Sequence, residues 1–177
     1  MRRTQILSFL LMVICVSAIA VPTKKPAENT TQRGAGADRW KEFRFLIGNW
    51  SGDGAGPAGQ GVGDLSVETD LNETILKMTN VQNFTGKDRN TTYRGTMIVS
   101  AGSKALFLDN EGHVLHYNVT FGPKTITFLS QPEPNSPRFR FSYLDLGDNQ
   151  MKCSLDIAPP PNLDKYTIHV SGTATKK

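Results

Sequence analysis

Leu115-His116-Tyr117-Asn118-Val119-Thr120-Phe121 alternates apolar and polar side chains without a break, and Gly122-Pro123 then turns the chain. Successive side chains of a strand point to opposite faces, so Leu115, Tyr117, Val119 and Phe121 make an apolar face opposite a wet one of His116, Asn118 and Thr120. The pattern recurs on both sides. Leu65, Val67, Thr69 and Leu71 alternate with Ser66, Glu68 and Asp70, and Phe139, Phe141 and Tyr143 alternate with Arg138, Arg140 and Ser142. Further strands are expected over 47–54, 73–82, 92–100, 104–109, 124–130, 150–158 and 165–175. Between the runs lie turn residues: Gly86-Lys87-Asp88, Ala101-Gly102-Ser103, Asn110-Glu111-Gly112 and Gly147-Asp148-Asn149. Such links leave no room for crossover helices, so neighbouring strands pair antiparallel, and a twisted up-and-down sheet of this many strands closes on itself. The expected fold is all-β: a closed antiparallel up-and-down barrel of about 8–10 strands, with space for one small ligand.

Working outward, Asp38 is placed to cap one short N-terminal helix carrying Trp40, Phe43 and Leu46. Residues 21–37 hold Val21 as their only large apolar side chain and are expected to form a flexible linker. Residues 1–20 pair a basic start, Met1-Arg2-Arg3, with an apolar run from Ile6 to Val16 and the small-residue end Ala18-Ile19-Ala20. This is the pattern of a signal peptide cut after Ala20. It predicts a secreted or periplasmic protein with no membrane span after cleavage, because the run is too short to cross a bilayer. Residues 38–177 then make one domain.

Composition narrows the function. The 177 residues carry 20 Lys+Arg against 16 Asp+Glu, and Arg2 and Arg3 belong to the leader, so no basic cluster marks a nucleic-acid partner. A 38% apolar content and a mean hydropathy of −0.34 argue against many membrane spans. Of the two cysteines, Cys15 lies in the leader, so Cys153 has no partner for an intramolecular disulfide. It is expected to be a buried, inert thiol on a strand face shared with Met151, Leu155 and Ile157.

Phe45-Leu46-Ile47-Gly48-Asn49-Trp50-Ser51-Gly52-Asp53-Gly54-Ala55-Gly56 is the most specific stretch. Its Phe-x-x-Gly-x-Trp core resembles the signature of lipocalin-like barrels, and the continuing Gly-x-Trp-x-Gly-x-Gly-x-Gly resembles the first strand of nitrobindin-type haem barrels. With Pro57-Ala58-Gly59-Gln60-Gly61, Asp109-Asn110-Glu111-Gly112-His113-Val114, Pro137-Arg138-Phe139-Arg140 and Ile157-Ala158-Pro159-Pro160, the chain is similar to a lipocalin-like bacterial extracytoplasmic family of unknown function. The resemblance implies the lipocalin/calycin-like barrel, with Trp50 plugging its closed end, and no particular activity. Likeness to the nitrobindins further implies a haem acting on reactive nitrogen or oxygen species, with His169 standing where the axial ligand would be. Strand parity opposes this, since Ile168, Val170, Gly172 and Ala174 form the apolar face and His169 goes with Thr167, Ser171, Thr173 and Thr175.

Other chemistry is sparse. Gly54-x-Gly56-x-x-Gly59 fits a dinucleotide fingerprint only formally, because Pro57 interrupts it and no helix follows. His113 and His116 fall on opposite strand faces and cannot share a metal, so no metal site is expected. Asp109 with Glu111, and Asp145 with Asp148, are read as turn residues, and Arg138 with Arg140 as a solvated outer row. Asn29, Asn49, Asn72, Asn83, Asn90 and Asn118 each begin an Asn-x-Ser/Thr triplet, which matters only in a eukaryotic secretory route. No catalytic group stands out. The expected function is a non-enzymatic barrel holding a small apolar or amphipathic molecule, with Trp50, Tyr117, Phe121, Phe128, Phe139, Phe141 and Tyr143 as candidate ligand contacts and no cofactor. The alternatives are the haem barrel and a structural or interaction module whose core is filled by these same aromatics.

Overall fold

The computed structural model describes residues 39–57, 59–85, 90–100 and 103–177. A 3-10 turn at Lys41–Phe43 precedes ten strands: β1 Gly48–Gly56, β2 Gly59–Asp70, β3 Ile75–Thr85, β4 Asn90–Ser100, β5 Lys104–Asp109, β6 Val114–Gly122, β7 Thr125–Ser130, β8 Arg138–Gly147, β9 Gln150–Ala158 and β10 Thr167–Lys176. Each strand pairs antiparallel with the next, and β1 pairs with β10, so the sheet is a closed ten-stranded meander. Full closure leaves no unpaired strand edge. The expected leader, linker and Asp38 cap, and the turns at Gly86-Lys87-Asp88 and Ala101-Gly102, lie outside the described residues.

Three details differ from the sequence expectation. The expected helix is a single 3-10 turn, and its apolar residues explain why: Trp40, Phe43 and Leu46 are exactly three apart, the spacing that a 3-10 turn stacks on one side and an α-helix would splay. Strand β2 begins at Gly59, six residues before the alternation starts at Leu65, because Gly59, Gly61 and Gly63 supply no side chain for a pattern to show. In β10 the register against β9 shifts between Ile168 and Val170, so Ile168 pairs with Asp156 on the outer face and is 65% exposed. Ile168 therefore does not belong to the apolar inner face assigned to it by parity. A β-bulge inserts one residue into a strand and so breaks the simple alternation.

The glycines of β1, β2 and β10 are matched across strands: Gly52 with Gly63, Gly54 with Gly61, and Gly54 again with Gly172. A Cβ on Gly172 would strike the Asp53 carbonyl, and one on Gly52 would strike the Thr173 carbonyl. Those positions are closed to any side chain by neighbouring backbone.

One end of the barrel is sealed by the 3-10 turn. Trp40, Phe43, Leu46 and Trp50 are all buried, and the Trp50 indole Nε1 donates to the Leu46 carbonyl at 2.8 Å. Trp40 Nε1 donates to the Glu73 carbonyl at 3.0 Å, tying the turn to the β2–β3 connection. Phe43 meets Phe121 and Phe128 with ring centroids 5.4 and 6.3 Å apart. Removing a buried aromatic of this kind leaves a cavity that packing cannot refill. Trp50→Ala is expected to lower unfolding stability by about 3–5 kcal/mol in a denaturant titration, whereas Val62→Ala on the exposed side of β2 changes it by less than about 0.5 kcal/mol.

Candidate functional site

A cavity of about 130 Å³ lies in the barrel toward the end opposite the 3-10 turn. Its wall is mostly apolar, with Trp50, Leu65, Phe84, Phe141, Met151 and Val170, and much of one side is bare glycine, at positions 52, 54, 61, 63 and 172. The aromatics of the neighbouring strands fill the rest of the barrel: Tyr117 packs against Phe107 and Phe141 at centroid distances of 6.2 and 5.8 Å, and Phe128 against Tyr143 at 6.0 Å. A wall without side chains is what keeps one part of the interior hollow.

The seven aromatics singled out from sequence separate into three groups. Trp50, Phe141 and Tyr143 line the cavity. Tyr117 and Phe128 are fully buried and fill the core beside it, with Phe139 half-buried against the same cluster. Phe121 is 40% exposed and lies against Phe43 at the sealed end, away from the cavity. Cys153 also lines the cavity, and burial pushes its thiol up to about 12. It is therefore protonated at neutral pH.

Several wall residues carry no marked signal in the sequence. Asn80 and Gln82 follow Leu76 and Met78 on the inward parity of β3, so two polar residues on an otherwise apolar face were the only available clue. The Asn80 Oδ1 atom is buried and has no hydrogen-bond partner, as is the Tyr117 hydroxyl. Tyr93 reaches from the cavity wall to the turn after β5, donating its hydroxyl to Asp109 Oδ2 at 2.8 Å. That carboxylate is a hub. It also accepts the Glu111 and His113 backbone amides on Oδ1 at 3.0 and 2.9 Å, and His113 Nδ1 stands 2.8 Å from Oδ2.

These contacts set the charge state of the interior. Burial works to raise the Asp109 pKa, but the bonds from the His113 side chain and backbone, from Tyr93 and from Glu111 outweigh it and hold the carboxyl below its ordinary 3.8. Burial, then the Asp109 carboxylate, push the Tyr93 and Tyr117 phenols well above their ordinary value. Burial does the same to Tyr143, reinforced by Cys153 and Tyr117. All three phenols are uncharged at neutral pH.

Glu111 lies in a turn as expected, whereas Asp109 ends β5 and is a structural anchor rather than a solvated turn acid. Asp109, Glu111 and His113 bring ligand atoms within 4.8 Å of one another, a grouping that the strand-parity treatment of His113 with His116 does not find. Arg138 and Arg140 do lie on the outer face, but they are not a solvated row. Arg140 Nη2 and Nε contact the buried Asp156 Oδ2 at 2.7 and 2.9 Å and its guanidinium stacks on Tyr166, while Arg138 donates to the Ser130 carbonyl and Asp164.

Two comparisons with known proteins return nothing: no protein-family profile matches the sequence, and no curated protein matches it. Solved structures do match. Rv2717c from M. tuberculosis aligns with a TM-score of 0.51 at 12% identity, over 77% of this chain and 98% of that one. The Echinococcus granulosus fatty-acid-binding protein 1 aligns with a TM-score of 0.52 at 13% identity, over 75% and 98%. The barrel is calycin-like. At such identities the likeness carries the fold, and it does not relate the sequence to the extracytoplasmic or nitrobindin families.

His169 falls inside the register shift of β10, has no paired residue on β9 and does not line the cavity. No other described histidine lines it either.

Two outcomes follow from the site's electrostatics. Alkylation of Cys153 by iodoacetamide, followed on its own peptide by mass spectrometry, should be at least about a hundredfold slower in the folded protein than in denaturant at pH 8, because the raised pKa leaves little thiolate. Asp109 has a depressed folded-state pKa, so its contribution is present above the unfolded value near 3.8 and is lost as pH falls below it. Asp109→Asn is therefore expected to lower the melting temperature at neutral pH and to make little difference in strong acid.

Proposed function

We propose that the protein is a non-enzymatic barrel that holds one small apolar or amphipathic molecule in this cavity, and that it works outside the cytoplasm, secreted or periplasmic, as its first twenty residues indicate. The observation that carries the first part is the glycine-walled hollow itself. The closing backbones admit no side chain at those positions and so leave the hollow unfilled, and apolar hollows of this kind take up apolar molecules. One of the structural neighbours is by name a fatty-acid-binding protein, in keeping with a ligand of amphipathic character. A catalytic role has no supporting constellation among the described residues: the raised pKa of Cys153 makes it a poor nucleophile, and the Asp109–His113 pair has no nucleophile beside it.

Titration with the uncharged dye N-phenyl-1-naphthylamine tests this. Saturable one-to-one enhancement of its fluorescence is expected, and saturation should slow alkylation of Cys153 further by at least about tenfold, because bound ligand blocks access to the thiol by mass action. A protein that gives neither effect has a filled core and is an interaction module.

A further inference from the structure

We infer that the cavity selects uncharged amphipathic molecules, with a hydroxyl or primary amide at the end that meets Asn80, and rejects carboxylates of the same length. This rests on the ligand-binding barrel proposed above and names the chemistry of its ligand. Among the described residues, no lysine, arginine or histidine lines the cavity. The described charged residues at its wall are Asp53 and Asp64, and Lys177 meets Asp64 on the outer side, at 2.7 Å, rather than turning inward. Lys176, the other cation near β1, lies over the Trp50 ring and donates to the Phe45 carbonyl at the sealed end. A buried carboxylate needs a cation or several well-placed donors to replace its water, and here it would meet no cation, two carboxylates and only uncharged donors, among them those of Asn80, Gln82, Ser154 and Thr173.

The one phenol at the wall that reaches Asp109 has no proton left to give. The Tyr93 hydroxyl gives its proton to Asp109, so the phenol oxygen offers the cavity only lone pairs. The ionised Asp109 behind it adds further negative potential. At the cavity wall Asn80 Oδ1 is buried and unpaired, as is the Tyr117 hydroxyl in the core beside it. Asn80 stands between the main cavity and a second pocket of about 10 Å³ bounded by Met78, Gly95, Met97 and Phe107. That space is the size of one small polar group. It opens because position 95 has no side chain: a Cβ there would lie 2.7 Å from the Phe107 ring and 3.0 Å from Asn80 Oδ1. A hydroxyl can donate to Oδ1, and a primary amide can donate to Oδ1 while accepting from the other end of the same side chain. A carboxylate can donate nothing.

The test is displacement of N-phenyl-1-naphthylamine from the full chain at neutral pH by three ten-carbon competitors kept below their micelle concentrations: decanol, decanamide and decanoate. The expected result is displacement by decanol and decanamide, with decanoate at least about tenfold weaker, the equivalent of about 1.4 kcal/mol. Decanoate competing as well as decanamide, while the dye binds saturably, would overturn the charge selection and leave the ligand-binding barrel standing. Failure of the dye and of all three competitors to bind would overturn both. Asn80→Leu is expected to weaken decanamide at least about fivefold more than it weakens the dye. Equal weakening of the two would remove Asn80 from the recognition of the polar group.

Discussion

Where β1 meets β10, the two backbones lie closer than any side chain between them would permit: the Asp53 and Thr173 carbonyls occupy the space in which Cβ atoms of Gly172 and Gly52 would stand. Closure of the barrel depends on this approach. A sheet of ten strands has to coil tightly to bring its first and last members together, and glycine is the residue that lets strands bend and touch. The same positions face inward, so the condition that closes the barrel also removes the side chains that would have filled it. Ring closure and the cavity have one cause.

The two ends of the barrel divide the work. At one end, Trp40, Phe43, Leu46 and Trp50 fold under a single 3-10 turn and shut the interior, with both indole nitrogens satisfied by backbone carbonyls. Buried indoles need such partners, and finding them at Leu46 and Glu73 fixes the turn against two different connections. Phe121 and Phe128 complete that plug. Toward the other end the inward positions change to glycine on three strands, and the packed core gives way to a hollow.

Polar groups inside follow from this layout. Asp109 is held by four donors and anchors the turn that follows β5, and its charge helps to keep the nearby phenols protonated. On the outer surface the Arg140–Asp156 pair, roofed by Tyr166, does a comparable job for the connection between β9 and β10. Both are hydrogen-bonded charge clusters that position loops. Neither places a cation inside the barrel, and the chemistry of the cavity is set by that.

The sequence alone determined the antiparallel order and the closed barrel and bounded the strand count at about 8–10, because period-2 alternation and short turns are local signals that leave few arrangements open. It also placed Trp50 in the interior and Cys153 on the inner face of β9. Tertiary structure decided the rest. The start of β2 was silent because glycines carry no pattern, and the bulge that turns Ile168 outward depends on pairing with β9, which no single strand encodes. Position along the barrel separated Phe141 and Tyr143 at the cavity from Phe121 at the sealed end, with Trp50 belonging to both the plug and the cavity wall, although parity gave the three aromatics of strands β6 and β8 the same inward face. Asn80 and Tyr93 gained their places from strands far apart in sequence. Alternation tells which side of a strand is inside, whereas a cavity depends on what the facing strands leave empty.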